Sequence, residues 1–197
     1  MKKMNLPNKL TLLRIILVPA VIAAILIEFP YHFLIAGLLF GAAAITDALD
    51  GKIARRDNLI TDFGKFADPL ADKILVISAF ACFIELDIVG AAFIILVLFR
   101  EFSVTSIRLI AAENGKVVAA NMWGKAKTVS QMIAIIVVLL NGWLLELSSM
   151  GVLKLGAGAE NIIGIINLSL LWISGVLTVI SGVIYIKDNF SFIKNAK

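Results

Sequence analysis

The stretch Thr46–Lys73, T-D-A-L-D-G-K-I-A-R-R-D-N-L-I-T-D-F-G-K-F-A-D-P-L-A-D-K, decides how this chain is read. Among its carboxylates are Asp47, Asp50, Asp68 and Asp72, inside an otherwise apolar protein. On a helix, Asp47 and Asp50 (i, i+3) share one face, as do Asp68 and Asp72 (i, i+4). Two such pairs facing each other make an all-oxygen site, which suits a hard divalent cation such as Mg²⁺ or Mn²⁺. A D-x-x-D pair alone also serves to cap or solvate a helix end. Carboxylates at membrane depth are costly and are rarely kept for packing alone, so the combination favours a ligand site.

The rest of the chain supplies the membrane. Its 197 residues are 60% hydrophobic with a mean hydropathy of +0.99, far from the composition of a soluble domain. The pattern predicts one all-α, polytopic membrane domain over residues 1–197. Six transmembrane helices are expected at about 8–28, 33–56, 63–84, 88–111, 122–146 and 162–186. Breaks fall near Pro30, Glu85–Asp87, Glu113–Lys116 and the Gly-rich segment 151–160. Seventeen of the eighteen Lys and Arg residues then lie on one side, and Lys154 alone on the other. That asymmetry predicts cytoplasmic termini, and it explains the basic pI of about 9.3 without nucleic acid. The basic start M-K-K-M-N-L-P-N-K resembles a signal-peptide n-region, but no clear cleavage site follows, so a mature span is expected. Cys82 stands alone, which leaves no disulfide or thiolate metal site.

The lengths of the apolar runs carry more detail. Phe33–Ile45, Ile74–Ile84, Ile88–Phe99 and the run around Met132–Leu140 are each too short to cross a hydrocarbon core of ~30 Å, which takes about 20 residues. Each reaches that length only with its charged end. Ile162–Ile186, by contrast, carries no charge at all. The polar halves of spans two to five must therefore face one another or water. The expectation is a polar cavity open to the cytoplasm and closed to the outside. One wall carries the aspartates, and the other carries Arg100, Arg108, Lys125 and Lys127. Glu101, Thr105 and Arg108 share one helical stripe (i, i+4, i+7). Metal plus a cationic pocket at a lipid interface suggests phosphoryl chemistry with one lipid and one water-soluble partner.

Asp47-x-x-Asp50-Gly51-x-x-Ala54-Arg55-x8-Gly64-x-x-x-Asp68-x-x-x-Asp72 resembles the signature of the CDP-alcohol phosphotransferases without a departure. The resemblance extends to the six-helix layout and to Asn8-x-x-Thr11-x-x-Arg14. Segments 100–112 and 124–131 look like the bacterial branch that forms phosphatidylglycerophosphate. The resemblance implies transfer of a phosphatidyl group from CDP-diacylglycerol to sn-glycerol 3-phosphate in the bacterial cytoplasmic membrane, by a homodimer that uses two Mg²⁺ or Mn²⁺ ions. It implies that Asp47, Asp50 and Asp68 bind metal, and that Asp72 completes the site and acts as general base. It places Asn8, Thr11, Gly51, Ala54, Arg55 and Gly64 with Asp47 and Asp50 at the CDP-lipid. Arg100, Thr105, Arg108, Lys125 and Lys127 are the candidates for the acceptor phosphate, mainly on charge and expected position.

Other readings of the same residues exist. The basic residues at 100–127 also serve as topology determinants, and Arg100 with Glu101 also reads as a structural ion pair. Inositol phosphate would suit the same cationic wall. An aspartate-rich prenyltransferase would hold a diphosphate similarly but release inorganic diphosphate rather than CMP. A cation transporter would need polar residues in the outer halves of the spans as well.

Overall fold

The computed structural model describes the backbone of residues 6–56, 62–113, 115 and 121–190, and the side-chain surroundings of 8–46, 67, 70–112, 115 and 121–190. Six helices follow one another, with no strand among the described residues. They are α1 (Leu6–Leu26), α2 (His32–Arg56), α3 (Asp62–Glu85), α4 (Ala91–Glu113), α5 (Met122–Ser149) and α6 (Ala159–Asp188). All six expected helices are present, with ends displaced by a few residues. The start of α4 moves from 88 to 91, because Ile88 and Val89 turn back to donate to the Phe83 carbonyl before the helix begins. Tyr31 and Asp87 take positive φ in the two tight turns of the first four helices.

Among the described residues, three helices are long and apolar enough to cross a membrane: Asn8–Leu26, Met122–Ser149 and Ala159–Asp188, with mean hydropathies of 2.2, 2.0 and 2.1. The inclusion of α5 corrects the expectation that it reaches spanning length only through its charged end. Thr128, Ser130, Gln131 and Asn141 interrupt its apolar run, but Thr128–Leu145 carries no charge. A polar, uncharged side chain lowers hydropathy far less than an ionised one. The part of α2 with described side chains, His32–Thr46, is an apolar segment too short to span on its own.

α1 packs on α2 and α3, α2 also packs on α5, and α6 lies against both α4 and α5. Phe40, Phe80, Phe83, Phe93, Ile135 and Leu139 form the centre of the core. Phe80 meets Phe93 edge-on at 4.8 Å, and Phe93 meets Trp172 at 6.1 Å, which ties α3 through α4 to α6. The buried stripe of α6 is small or polar: Asn167, Ser174, Gly175, Thr178, Ser181 and Gly182, with Leu171 and Tyr185. Small residues let helices approach where no water needs to be expelled between them. Gln131 donates to Thr178 (3.1 Å) and Asn141 to Asn167 (2.7 Å), so the α5–α6 seam is hydrogen-bonded along its length.

A cavity of 980 Å³ opens at the end of the bundle that carries Glu28, His32, Asp87, Glu146 and Glu160. There Glu146 Oε1 accepts the His32 backbone N–H at 3.1 Å, fastening the α1–α2 turn to α5. The His32 ring lies against Phe33 and within 3.2 Å of the Ala24 carbonyl, a structural setting. Gly142 on α5 sits under the Phe33 ring, and a Cβ there would come within 2.7–3.0 Å of three ring carbons. Gly41 on α2 has no such neighbour within 4 Å. Gly142→Ala should therefore destabilise the protein by about 1–3 kcal/mol through overpacking. Gly41→Ala should be neutral or stabilise it by roughly 0.5–1 kcal/mol through helix propensity. Thermal unfolding of both variants in detergent checks the pair, and equal melting temperatures would contradict this packing.

Candidate active site

A cavity of 540 Å³ lies where α3, α4 and α5 carry their charges. Asp72 and Lys73 line it from α3, Arg100, Glu101 and Arg108 from α4, and Gly124, Lys125, Lys127 and Gln131 from α5. The structure thus brings Asp72 together with four of the five residues assigned to the acceptor phosphate. Thr105, the fifth, sits beside the cavity: it accepts Lys73 Nζ at 2.5 Å and donates to the Glu101 carbonyl at 2.7 Å. Its hydroxyl is engaged within the protein rather than offered to a ligand.

The cations divide into two groups. Lys127 and Arg100 are held by one oxygen of Glu101, at 2.5 and 2.9 Å. Arg100 also donates to Ser181 on α6 at 2.6 Å. The second Glu101 oxygen lies 3.9 Å from Lys73 Nζ. Glu101 and Lys127 are 9% and 5% exposed, so water screens this cluster weakly. Arg108 and Lys125 are exposed, and neither has a carboxylate within ion-pair distance among the described residues. The Arg108 guanidinium lies 5.5 Å from the centre of the Tyr185 ring, and its Nε donates to the Tyr185 hydroxyl at 3.2 Å. Stacking orients the side chain while leaving its terminal nitrogens for another acceptor.

Local sequence explains the placement. Asn121 caps α5 by accepting the Gly124 N–H at 2.8 Å, which sets where Lys125 and Lys127 emerge. Lys127 and Gln131 (i, i+4) lie on the buried face of that helix. On α6, Gly182 gives Arg100 its room, since a Cβ there would stand 2.9 Å from the Arg100 Cγ. Lys73, Ser181 and Tyr185 are site residues that sequence reasoning missed. Lys73 follows directly on Asp72, and Ser181 and Tyr185 stand one turn apart on the small-residue stripe of α6. Those were the available signals.

Three of the other expected residues stand on α1. Asn8, Thr11 and Arg14 are buried on α1, each with interactions inside the protein, and line neither cavity. Asp47, Asp50, Gly51, Ala54 and Arg55 fall on α2 and Gly64 and Asp68 on α3, but their side chains lie outside the described residues. Among the described residues, no cluster of three His, Cys, Asp or Glu side chains forms a metal site.

Gly182→Ala should push against Arg100 and lower the melting temperature. In an Arg100→Ala background the same change should cost less, because the group it strikes is gone. A double-mutant cycle should therefore return a coupling of about 0.5–3 kcal/mol, and strict additivity would contradict the contact.

Residues 4–181 match the CDP-alcohol phosphatidyltransferase family. The chain is 39% identical to the CDP-diacylglycerol–glycerol-3-phosphate 3-phosphatidyltransferase of Bacillus subtilis (strain 168), over 98% of both proteins. It is 37% identical to the protein of the same name from Rickettsia bellii (strain RML369-C), over 93% of this chain and 94% of that one. It is also 40% identical to a probable phosphatidylglycerophosphate synthase of Mycobacterium tuberculosis (strain H37Rv), over 66% and 64% of the two chains. The match over nearly its whole length means that this chain belongs to the CDP-alcohol phosphatidyltransferase family.

Proposed function

We propose that this chain transfers the phosphatidyl group of CDP-diacylglycerol to sn-glycerol 3-phosphate and releases CMP. The names of its relatives support the reaction. The observation that carries the choice of acceptor is the cavity itself, where Asp72 shares one space with Arg108, Lys125 and Lys127. Guanidinium and ammonium groups bind phosphate through charge-assisted hydrogen bonds. Arg108 and Lys125 would take the acceptor's phosphate, and Lys127 has two further N–H donors to lend beyond the one given to Glu101. Arg100 already serves Glu101 and Ser181, so its part is to hold the wall.

Asp72 is assigned as general base. Its carboxylate takes the proton of the acceptor hydroxyl as that oxygen bonds to the β-phosphorus of the CDP-lipid. The bond from that phosphorus to the bridging oxygen breaks, and CMP leaves with the electron pair. Asp47, Asp50, Asp68 and Asp72 would hold two Mg²⁺ or Mn²⁺ ions. Among the described residues, neither His nor Cys lines the cavity beside Asp72, and an all-oxygen donor set fits hard ions. When bound, the ions neutralise charge on the diphosphate. The family signature assigns Gly51, Ala54, Arg55 and Gly64 to the CDP-lipid. Asn8 and Thr11 stand on α1, which packs against the two helices that carry the aspartates.

In this reading all six helices cross the bacterial cytoplasmic membrane, with both termini and the 540 Å³ cavity on the cytoplasmic side. α1, α5 and α6 span by their own hydropathy, and α3 and α4 by gathering charged side chains at the cavity. Ile95, Phe99 and Phe102 form an exposed apolar stripe on α4, which we assign to the contact with a second copy in a homodimer.

The test is CMP release by purified protein in lipid nanodiscs, with CDP-diacylglycerol, Mg²⁺ and a panel of acceptors. Turnover is expected with sn-glycerol 3-phosphate and not with serine. Equal turnover with inositol phosphate would replace the acceptor, and release of inorganic diphosphate would replace the reaction. Excess chelator should abolish turnover. Asp72→Asn keeps the shape of the side chain but cannot take a proton. It should lower kcat by about 100-fold or more while the KM for CDP-diacylglycerol changes little. Near-normal kcat at saturating Mg²⁺ would remove Asp72 from the role of base.

A further inference from the structure

Among the described residues, five cations line the 540 Å³ cavity: Lys73, Arg100, Arg108, Lys125 and Lys127. Three of them already have an anion, and it belongs to the protein. Glu101 Oε1 receives Lys127 at 2.5 Å and Arg100 at 2.9 Å, and Oε2 stands 3.9 Å from Lys73. An oxygen that accepts two cationic donors in a weakly screened pocket is doing what a phosphate oxygen would do there. Glu101 also lines the cavity, so its negative charge faces whatever anion enters.

We propose that Glu101 is a positioning residue and a built-in competitor for the acceptor's phosphate. It holds Lys127 and Arg100 in place while the cavity is empty. It also weakens phosphate binding enough for a phosphorylated product to leave. The second part rests on the phosphatidyl-transfer reading, because the acceptor keeps its phosphate and the product carries it out of the same pocket. The first part is a property of the cavity alone. Removing a buried carboxylate leaves its cations uncompensated, which is costly to the fold. An anion that can take the vacant place then binds more tightly and restores stability by mass action.

The variant is Glu101→Gln, which keeps the shape and removes the charge. Without phosphate it should melt well below the wild type. Millimolar inorganic phosphate should close most of that gap while shifting the wild type much less. In turnover, KM for sn-glycerol 3-phosphate and the inhibition constant of inorganic phosphate should both fall, on the order of tenfold. The kcat should fall with them, and KM for CDP-diacylglycerol should stay put. Glu101→Asp keeps the charge and should keep the wild-type response to phosphate. The double variant E101Q/K127M lacks the buried ammonium and should lose the phosphate effect. A folded E101Q whose stability responds to phosphate as the wild type does, or whose KM for the acceptor rises, would reduce Glu101 to a structural strut. Failure of E101Q to fold both with and without phosphate would overturn the proposal too, since phosphate could not then replace the carboxylate. If the wild type released no CMP, the transfer reading would fail separately, because the unfolding measurement needs no turnover.

Discussion

Glu101 accepts Lys127 and Arg100 on one oxygen and faces Lys73 with the other, and Arg100 reaches on to Ser181. Through that single carboxylate α3, α4, α5 and α6 are joined at their charged ends. Buried ion pairs stabilise a fold little compared with apolar packing of equal volume, but breaking one by removing a partner is costly. Their effect is therefore to fix register. The helices can meet at this end only with Glu101, Lys127 and Arg100 level with one another. That register puts Asp72, Lys125 and Arg108 around one space.

The remainder of the bundle accommodates that constraint. An arginine cannot sit between α4 and α6 unless α6 is thin there, and Gly182 provides the gap. Gly175 does the same for Phe93 one interval earlier, where a Cβ would meet the ring at 3.2 Å. The aromatic chain of Phe80, Phe93 and Trp172 then fills the middle of the bundle with large side chains. Large residues on α3 and α4 and small ones on α6 are two parts of one packing solution.

Much of this was legible in the sequence because hydropathy, charge and breakers act locally. Apolar runs that stop at charged residues located all six helices, and Pro30 and the Gly-rich 151–160 marked their separations. The position of Arg108, Lys125 and Lys127 beside Asp72 followed from the rule that charged halves of neighbouring spans must face one another. What could not be read depends on which distant residues meet. Glu101 was visible as part of a stripe with Thr105 and Arg108, yet nothing local showed that Lys127, in the next helix, would be its ion-pair partner. Nothing in the uncharged run of α6 showed that Ser181 and Tyr185 would hold two arginines of α4. Hydropathy counting also underrated α5, because its interrupting residues are hydroxyls and amides rather than charges.

On the proposed reading, the exposed cations Arg108 and Lys125, beside the Glu101 cluster, form the seat of a phosphate monoester. The most direct measurement is calorimetric titration of sn-glycerol 3-phosphate into the protein in lipid nanodiscs, without the CDP-lipid. The wild type is compared with the double variant Arg108→Gln, Lys125→Gln. The account predicts saturable binding by the wild type that weakens by roughly a hundredfold or more in the double variant, the loss of two charge-assisted hydrogen bonds. Equal affinity in the two proteins, with both folded, would contradict it.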